Sequence, residues 1–451
     1  MRQGCRRSIV IASVKVGMYT DLMIEANVII IGGGPAGLAA AAFSEKAYVL
    51  ERLPRPGTKL LATGGGRCNI THDAEVDEIV PLFGKHGRFI TPAVRAWPPS
   101  AIREFLHEWK VPTVVDADGC VFPASGQASH VRDALVAAAQ AAGAEIHCDV
   151  RVKRIRLNGA GDCMRGVETD TGAFIPARVV ILAAGGQSYP KLGSDGSSFA
   201  LAEEIGLAVT PRYPALAALV TVEKWGTALA GIACPNASLR LTGKGFSREP
   251  VSGPILFTHK GLSGPPALAL SGTIAQARHE TGQPVAVAIS FLADRRHDDW
   301  IACFDAWRQA SGARRVRLLL GGEIPKALAE QVCRLAGIGE ETTAAQLTRD
   351  EAKHLAEHCV ACPLTVTATD GWDRAMLTRG GIALSELTAK TLACKRIAGL
   401  YCVGECVDLD APCGGYNLTW ALASGRLAAE SARRHMSGQA PRPAAPQKNM
   451  N

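Results

Sequence analysis

The stretch from Val28 to Ala42, VIIIGGGPAGLAAAA, constrains the fold of this chain more than any other. Apolar residues typical of a β-strand lead into a glycine turn, and small residues that favour a helix follow. Gly32, Gly34 and Gly37 have GxGxxG spacing: the first glycine allows the tight turn, the second lets the backbone approach a pyrophosphate, and the third lets the helix pack on the strand. The helix N-terminus directs unpaired N–H groups at the phosphates. The stretch therefore predicts a dinucleotide site.

A second short strand, predicted at 47–50, ends at Glu51, whose carboxylate can accept hydrogen bonds from the hydroxyls of a ribose. An acid at this place disfavours a 2'-phosphate. Glu51 follows Gly37 by 14 residues, fewer than the roughly twenty expected, so the crossover helix is about a turn shorter. Either Glu51 binds the ribose, or the short crossover moves it out of reach. An ordinary strand-to-helix turn is the alternative for the whole segment.

Composition and charge narrow the class of protein. With 451 residues the chain can form two or three domains, and its net charge of +7 is a modest excess that favours anionic ligands. Only 5% of the residues are aromatic and no basic run carries interleaved aromatics, so we expect no nucleic-acid partner. The 14 cysteines show no disulfide framework, and Cys359 and Cys362 form a lone CxxC. We therefore expect buried thiols, no metal site and a cytoplasmic protein.

Residues 1–25 are predicted to be an N-terminal extension. Their arginines and apolar run faintly resemble a signal peptide, but Lys15 interrupts the run and no clear cleavage site precedes Val28. A true start at Met18 or Met23 would explain the segment better. No other stretch approaches the roughly eighteen uninterrupted apolar residues of a membrane span, so we expect no membrane partner.

The pattern of apolar residues changes several times along the chain and predicts its domains. The first α/β segment ends with the buried strand FIPARVVILAA and a glycine pair; short β runs follow, then a stretch with helical periodicity, and finally one more strand and one more helix. The predicted divisions are a first α/β segment at 26–190, an inserted β domain at 191–297, a helical insert at 298–360, a return to the β domain at 361–392, a second α/β segment at 393–434 and a disordered tail at 435–451.

The last α/β segment contains GLYCVGECVDLDAPCGGYNLTWALASG, in which a strand precedes Gly404 and Glu405, then Asp408, a glycine pair at 414–415 and a helix. A flavin site needs these parts. Asp408 can bind a ribityl hydroxyl, the thin glycine backbone can lie against the isoalloxazine, and the helix that opens near Asn417 directs its positive end at the pyrimidine ring. A terminal helix with a glycine-rich N-terminus is the alternative for this segment alone.

With these residues the chain resembles the BaiN-like flavoproteins, also called the aminoacetone oxidase family of FAD-binding enzymes, which are related to the fumarate reductase flavoprotein fold. The resemblance covers roughly 28–433. Its marks are GGGPAG at 32–37, TGGGRCNIT at 63–71, VFPASGQAS at 121–129, AAGGQSYPKLGSDG at 183–196, THKGLSGP at 258–265 and GE...D...GGYN at 404–417.

The resemblance implies an α/β fold: a bipartite Rossmann-like FAD-binding domain with an inserted β-barrel domain that carries a small helical subdomain. It implies FAD as cofactor, with backbone contact between Val152 and the adenine, and we expect the FAD to be non-covalent because no histidyl or cysteinyl attachment motif is recognisable. The predicted FAD-binding residues are Gly32, Gly34, Pro35, Ala36, Gly37, Glu51, Arg52, Lys59, Gly65, Gly66, Arg67, Asn69, Val152, Ala184, Gly185, Gly404, Glu405, Asp408, Gly415, Tyr416, Asn417 and Leu418.

Four residues are predicted to act in catalysis. Arg67 can bind a carboxylate, a carbonyl or a phosphate, and Asn69 can hydrogen-bond the flavin or the substrate. Tyr416 is a candidate proton donor. His259 lies in a glycine-rich turn of the β domain that the resemblance places facing the flavin, although a lone loop histidine is more often exposed or structural. His72 and Cys68 are expected to be packing or loop-fixing residues.

The expected function is that of an FAD-dependent oxidoreductase that transfers a hydride between the flavin and a small organic substrate. No second strand–GxGxxG–helix unit is present for a nicotinamide, so NAD(P)H must reach the flavin through the substrate cleft, or molecular oxygen must take the electrons. The resemblance leaves open NAD(P)H-linked reduction of a C=C bond next to a carbonyl and oxidation of a small amine. The rival hypothesis is a non-catalytic FAD-binding redox sensor or binding protein.

Overall fold

A computed structural model describes residues 26–438 of the chain, except Lys244 and Arg248. The predicted extension at 1–25 and the part of the predicted tail at 439–451 lie outside the described residues.

Three groups of elements follow one another along the chain. The first comprises β1 (Ala26–Ile31), α1 (Pro35–Ala42), β2 (Ala47–Leu50), β3 (Thr71–His72), α2 (Val76–Ile79), α3 (Gly87–Ala96), α4 (Pro99–Glu108), β4 (Thr113–Val115), β5 (Cys120–Pro123), α5 (Ala128–Ala141), β6 (Glu145–His147), β7 (Val152–Leu157), β8 (Met164–Thr169), β9 (Phe174–Leu182) and α6 (Ser197–Glu204). The second comprises β10 (Tyr213–Ala215), β11 (Leu219–Thr221), α7 (Lys224–Ala228), β12 (Ala233–Leu241), β13 (Val251–Phe257), β14 (Gly261–Ser263), α8 (Pro265–Thr281), β15 (Val285–Ser290), α9 (His297–Ser311), α10 (Val316–Leu320), α11 (Lys326–Leu335), α12 (Arg349–Ala361), β16 (Cys362–Thr369) and β17 (Leu377–Arg379). The third comprises β18 (Leu400–Cys402) and α13 (Tyr416–Met436).

A parallel sheet forms the centre of the first domain, in the order β6–β2–β1–β9–β18. The two ends of the chain build it together, since β18 pairs with the second half of β9 while the β7–β8 hairpin pairs antiparallel with the first half. β2 lies on one side of β1 and β9 on the other, so the strand order reverses between β1 and β9. Open α/β sheets bind ligands beyond the carboxyl ends of the strands at such a reversal.

The inserted domain is a closed antiparallel barrel with the order β11–β14–β13–β12–β15–β16. Helices α9 to α12 lie between β15 and β16 in the chain. Trp300 and Phe304 of α9 and Leu355 of α12 belong to the same apolar core as the barrel residues Ile255 and Val366. The helical subdomain is therefore carried by the barrel, and this architecture confirms the predicted fold class.

Two segments expected in the inserted β domain pack elsewhere. Phe199 and Leu201 of α6, and Ile382 after β17, belong to the apolar core of the α/β domain. The segment at 265–281 forms the 17-residue helix α8, where the sequence suggested short β runs. Pro265 and Pro266 stand at the first helical positions, which favour proline, and Gly282 ends the helix in a left-handed conformation (φ +69°).

Within the described residues 26–438, no helix combines the length and the apolar character needed to cross a bilayer.

Candidate functional site

A cavity of about 400 Å³ lies beyond the carboxyl ends of β1 and β9 and reaches the β10–β17 sheet of the inserted domain. This volume is typical of small-molecule sites. Sixteen of the predicted FAD-binding residues line it: Gly32, Gly34, Pro35, Ala36, Glu51, Arg52, Lys59, Gly65, Asn69, Val152, Ala184, Gly185, Glu405, Gly415, Asn417 and Leu418. Seven other predicted site residues do not belong to the lining: Gly37, Gly66, Arg67, His259, Gly404, Asp408 and Tyr416.

The first glycine turn has room for a phosphate group. A Cβ on Gly32 (φ +103°) would stand 2.6 Å from the carbonyl oxygen of Ala183, and a Cβ on Gly37 would stand 1.9 Å from that of Gly32, so the backbone itself requires both glycines. A Cβ on Gly34 would meet no atom within 4 Å. α1 begins at Pro35 with no side-chain cap and no acidic residue in its first turn, which leaves its N-terminal N–H groups to an anion. The turn therefore fits a dinucleotide pyrophosphate.

Glu51 lies in the cavity wall although the crossover helix is short. Its Oε2 accepts a hydrogen bond from the N–H of Gly33 at 2.7 Å and its Oε1 accepts one from the N–H of Leu53 at 2.8 Å. Burial raises the pKa of Glu51, and the two backbone hydrogen bonds lower it without cancelling that rise. Each carboxylate oxygen keeps a second lone pair, so a contact with a ribose stays compatible with this geometry.

Arg52 lines the cavity but binds protein groups. Its guanidinium donates to the carbonyl oxygen of Pro190 at 3.0 Å and pairs with Asp195 at 3.1 Å. The pKa of Asp195 is lowered: burial acts to raise it, but hydrogen bonds with Ser197 and the guanidinium groups of Arg52 and Arg151 outweigh burial. Arg52 thus fixes the loop at 189–197. The motif at 183–196 covers nearly all of this loop, but the sequence does not show which of its residues line the cavity. They are Tyr189, Leu192, Gly193, Ser194 and Ser197.

Four segments of the chain meet at a partly buried ion pair in the cavity wall. Lys59 Nζ stands 2.6 Å from Glu405 Oε2, and their side chains are 18% and 16% exposed. The hydroxyl of Ser188 donates to Glu405 Oε1 at 2.7 Å, and the N–H and hydroxyl of Thr378 both donate to the same oxygen at 3.0 Å. Because Thr378 belongs to β17, the carboxylate of Glu405 connects the α/β domain to the inserted domain.

A second glycine turn precedes α13. Gly415 has φ +87° and caps the helix without a side chain, and a Cβ on it would stand 2.5 Å from the carbonyl oxygen of Thr71. The Asn417 amide accepts a hydrogen bond from the N–H of Ala411 at 3.0 Å and donates one to the carbonyl oxygen of Ala411 at 2.8 Å. Asn417 therefore fixes the loop before the helix, whose free N–H groups direct positive potential at the cavity.

Tyr416 and Asn69 flank this second turn. The ring of Tyr416 lies 4.9 Å from the ring of His72, behind the cavity lining, and burial raises the pKa of its hydroxyl. Asn69 lines the cavity. With its amide oriented so that both ends are hydrogen-bonded, it accepts from the N–H of Gly415 at 3.2 Å and donates to the carbonyl oxygen of Thr71 at 3.0 Å.

Three of the seven predicted site residues outside the lining are Arg67, His259 and Asp408. Arg67 is exposed, and its guanidinium stacks on the ring of Phe122 at 4.2 Å. His259 is exposed in the turn between β13 and β14. Asp408 faces Thr210; burial raises the pKa of Asp408, and a hydrogen bond with Thr210 opposes that rise. The structure does not bring these side chains together.

The inserted domain contributes an apolar wall to the cavity. Among the described residues, the segment from β10 to β17 lines it with Leu216, Met376 and Leu377. Leu216 has a positive φ of +51° and packs with Leu377 and Leu268, while Met376 is 41% exposed. Sequence reasoning missed these residues because only the pairing of β10 with β17 brings them to the cavity.

Comparisons with known proteins agree with this architecture. Residues 26–431 match the family model described as HI0933-like protein Rossmann domain. The chain is 31% identical over 409 residues to the 3-dehydro-bile acid delta(4,6)-reductase of Clostridium scindens, which covers 89% of this chain and 98% of the relative. It is 28% identical to the ribosomal RNA dihydrouridine synthase of Haemophilus influenzae, over 90% of this chain and 98% of the relative.

Among solved structures, the fold is similar to that of Mycobacterium smegmatis Sdh1 in complex with UQ1. The TM-score is 0.50 with 15% identity, over 93% of this chain and 70% of the other. At this identity the likeness concerns the fold alone.

Proposed function

The chain belongs to the HI0933-like Rossmann family, and from this premise we propose that it is an FAD-dependent oxidoreductase that reduces a C=C bond conjugated to a carbonyl group in a small, apolar, ring-containing molecule. The observation that carries the proposal is the contrast between the two sides of the cavity. Glycine turns before uncapped helices line the α/β side, and Leu216, Met376 and Leu377 line the side of the inserted domain.

The residues of the cavity fit non-covalent FAD. The turn at Gly34 has open space and free N–H groups for the pyrophosphate. Glu51, Val152 and Glu405 line the cavity; the first two would contact the adenosine, and Glu405 would contact the ribityl chain. The uncapped N-terminus of α13 would stabilise negative charge on the pyrimidine ring. When bound in this way and reduced by NAD(P)H, FAD would supply the hydride.

The names of two relatives describe one shared chemistry. A delta(4,6)-reductase of a 3-dehydro-bile acid and a dihydrouridine synthase both add hydrogen across a C=C bond conjugated to a carbonyl group. This shared chemistry favours reduction over amine oxidation for the present chain. The apolar side chains of the inserted domain favour a steroid-like enone over a uridine in RNA.

Reduction also requires a proton at the carbon next to the one that receives the hydride. We assign this proton to the hydroxyl of Tyr189, whose side chain lines the cavity. Tyr189 has a left-handed backbone conformation (φ +54°), and its N–H donates to the carbonyl oxygen of Trp372 at 3.0 Å. Bulky residues adopt this conformation at a cost that the surroundings must offset, and such strain is concentrated at functional sites.

Anaerobic turnover tests the proposal. The holoprotein is reduced with NADH or NADPH, mixed with a 3-oxo-Δ4 steroid, and followed by flavin absorbance and by mass spectrometry of the steroid. We expect flavin reoxidation together with a steroid that has gained two hydrogens. A reduced flavin that the steroid does not reoxidise would contradict the proposal. Parallel samples contain a uridine-containing RNA or a small primary amine, and turnover in either sample would identify a rival substrate. A flavin that is reduced but is reoxidised by none of these compounds would indicate a redox sensor.

A further inference from the structure

We infer that His72 and Asn69 are positioning residues that hold the Gly414–Gly415 peptide group in one orientation against the flavin. We call this pair of side chains the peptide clamp. The inference rests on the proposed binding of FAD in the cavity, because the orientation of this peptide group matters only when the cofactor lies beside it.

Both polar groups of one peptide unit are bound by the clamp. The Nδ1 atom of His72 lies 3.2 Å from the carbonyl oxygen of Gly414, and since a carbonyl only accepts, Nδ1 carries the proton. The N–H of the same peptide unit, which belongs to Gly415, donates to the side-chain oxygen of Asn69 at 3.2 Å. The clamp thus reaches the turn from a segment 342 residues earlier in the chain.

This peptide group needs an external restraint. Gly414 has φ +143° and Gly415 has φ +87°, and glycine on both sides of a peptide bond permits the bond plane to rotate. Both residues line the cavity, and Gly415 caps α13. A rotated peptide would present a carbonyl oxygen where an N–H now stands, which changes the electrostatic environment of any group in the cavity. The two hydrogen bonds select one of these orientations.

Packing fixes the histidine that makes the first bond. The ring of Tyr416 lies 4.9 Å from the ring of His72 on one side. On another side, a Cβ on Gly119 would stand 2.6 Å from His72 Nε2, so the backbone of Gly119 lies close against the ring. The ring therefore has little freedom to turn, and its Nδ1 stays directed at Gly414. Tyr416 also lies directly against the turn, since a Cβ on Gly414 would stand 2.3 Å from its ring.

Two substitutions at one position test the clamp. His72→Phe removes the donor and keeps a ring against Tyr416, whereas His72→Asn keeps an N–H donor near the position of Nδ1. FAD is titrated into each apoprotein, and the midpoint potential of the bound flavin is measured against redox dyes. For His72→Phe we expect about fivefold weaker FAD binding, the loss typical of one neutral hydrogen bond, and a shifted potential. His72→Asn should restore both, and the melting temperatures of the apoproteins should agree.

If His72→Phe binds FAD with the parent affinity and its flavin has the parent midpoint potential, the inference is overturned. If that variant does not fold, Asn69→Ala takes its place, because it removes the acceptor from the N–H of Gly415; unchanged binding and potential there would equally refute the clamp. The proposed function fails separately: a shifted potential in a protein that reduces no enone refutes the function alone, and turnover with an unmoved potential refutes the clamp alone. A parent protein that binds no FAD would overturn both.

Discussion

Two glycine turns line the cavity, and each precedes a helix without a side-chain cap, yet different contacts hold them. In the first turn, Gly32 and Gly37 meet backbone atoms of their immediate surroundings so closely that no side chain fits. In the second turn, side chains bind the backbone. His72, which is distant in the chain, binds the carbonyl oxygen of Gly414, and Asn417, across the loop, binds the N–H of Ala411. A Cβ on Gly415 would also meet backbone, and Glu51 also binds the N–H of Gly33, so both kinds of contact occur in both turns. Steric contacts with backbone dominate at Gly32 and Gly37, and side-chain hydrogen bonds dominate at the Gly414–Gly415 peptide group.

This difference determines how each turn responds to substitution. Adding one methyl group at Gly32 or Gly37 of the first turn displaces backbone and disturbs the fold. Removing one hydrogen bond from the second turn leaves the fold in place and frees a peptide group. Large effects on stability are expected at the first turn, and smaller effects on cofactor affinity and potential at the second.

The largest effect should come from Gly37→Ala. A Cβ there would stand 1.9 Å from the carbonyl oxygen of Gly32, so α1 must move away from β1. We expect a loss of about 3 kcal/mol in the free energy of unfolding of the apoprotein, measured by urea denaturation. Gly159→Ala is the matched control, because a Cβ there meets no atom within 4 Å. A Gly37→Ala protein as stable as the control would remove the distinction between the turns.

Tyr189→Phe should affect the chemistry and leave both turns unchanged. The loop that carries Tyr189 is fixed by the contacts of Arg52 with Pro190 and Asp195, which the substitution does not touch. Loss of a proton donor typically lowers the rate about a hundredfold. Single-turnover reoxidation of the reduced flavin by a 3-oxo-Δ4 steroid measures this rate, and FAD affinity serves as the control. Reoxidation at the parent rate would mean that another residue donates the proton.

Lys59→Met tests a contact between segments that are distant in the chain. The substitution leaves the carboxylate of Glu405 without its counter-charge in a region of low exposure, which should cost about 2 kcal/mol of apoprotein stability. Lys260→Met is the control, because Lys260 pairs with Asp370 but is 66% exposed and should contribute less than about 1 kcal/mol. Equal losses in the two variants would mean that the burial of the Lys59 pair has no consequence.

The smallest effect concerns pH and Glu51. Because burial raises the pKa of Glu51 above its ordinary value of 4.5, the folded protein binds this proton more tightly than the unfolded chain. The apoprotein should therefore lose stability as the pH rises from 4.5 through the raised pKa, and Glu51→Gln should lack this part of the loss. Urea denaturation of both proteins between pH 4.5 and 7 measures the difference; parallel curves would show that Glu51 titrates normally.

The contrast between the turns also explains what the sequence could predict. The glycine spacing at 32–37 predicts the first turn because the constraint lies in the residues themselves, and the strand and helix beside it are local. The glycine pair at 414–415 is equally visible, but its partner His72 is not, because no sequence pattern links two residues that only the fold brings together. For the same reason the sequence does not reveal that the ring of Tyr416, a predicted proton donor, packs against His72.

The inserted domain shows the same limit. Short apolar runs predict its small β domain, and the family resemblance implies its barrel. Helix α8 is not predicted, because its apolar residues resemble those of a strand when read without its contacts. Leu216 and Met376 reach the cavity only through the pairing of β10 with β17. Local patterns therefore predict the fold class and the cofactor turn, and tertiary pairing determines the substrate side of the cavity.

FAD titration of the Gly34→Ala apoprotein tests the central claim most directly. A Cβ on Gly34 meets no protein atom within 4 Å, and the backbone conformation there (φ −76°) suits alanine, so the melting temperature of the apoprotein should not change. If the FAD pyrophosphate occupies this space, the added methyl group should weaken FAD binding at least tenfold, about 1.4 kcal/mol. FAD binding as tight as that of the parent protein would contradict the account.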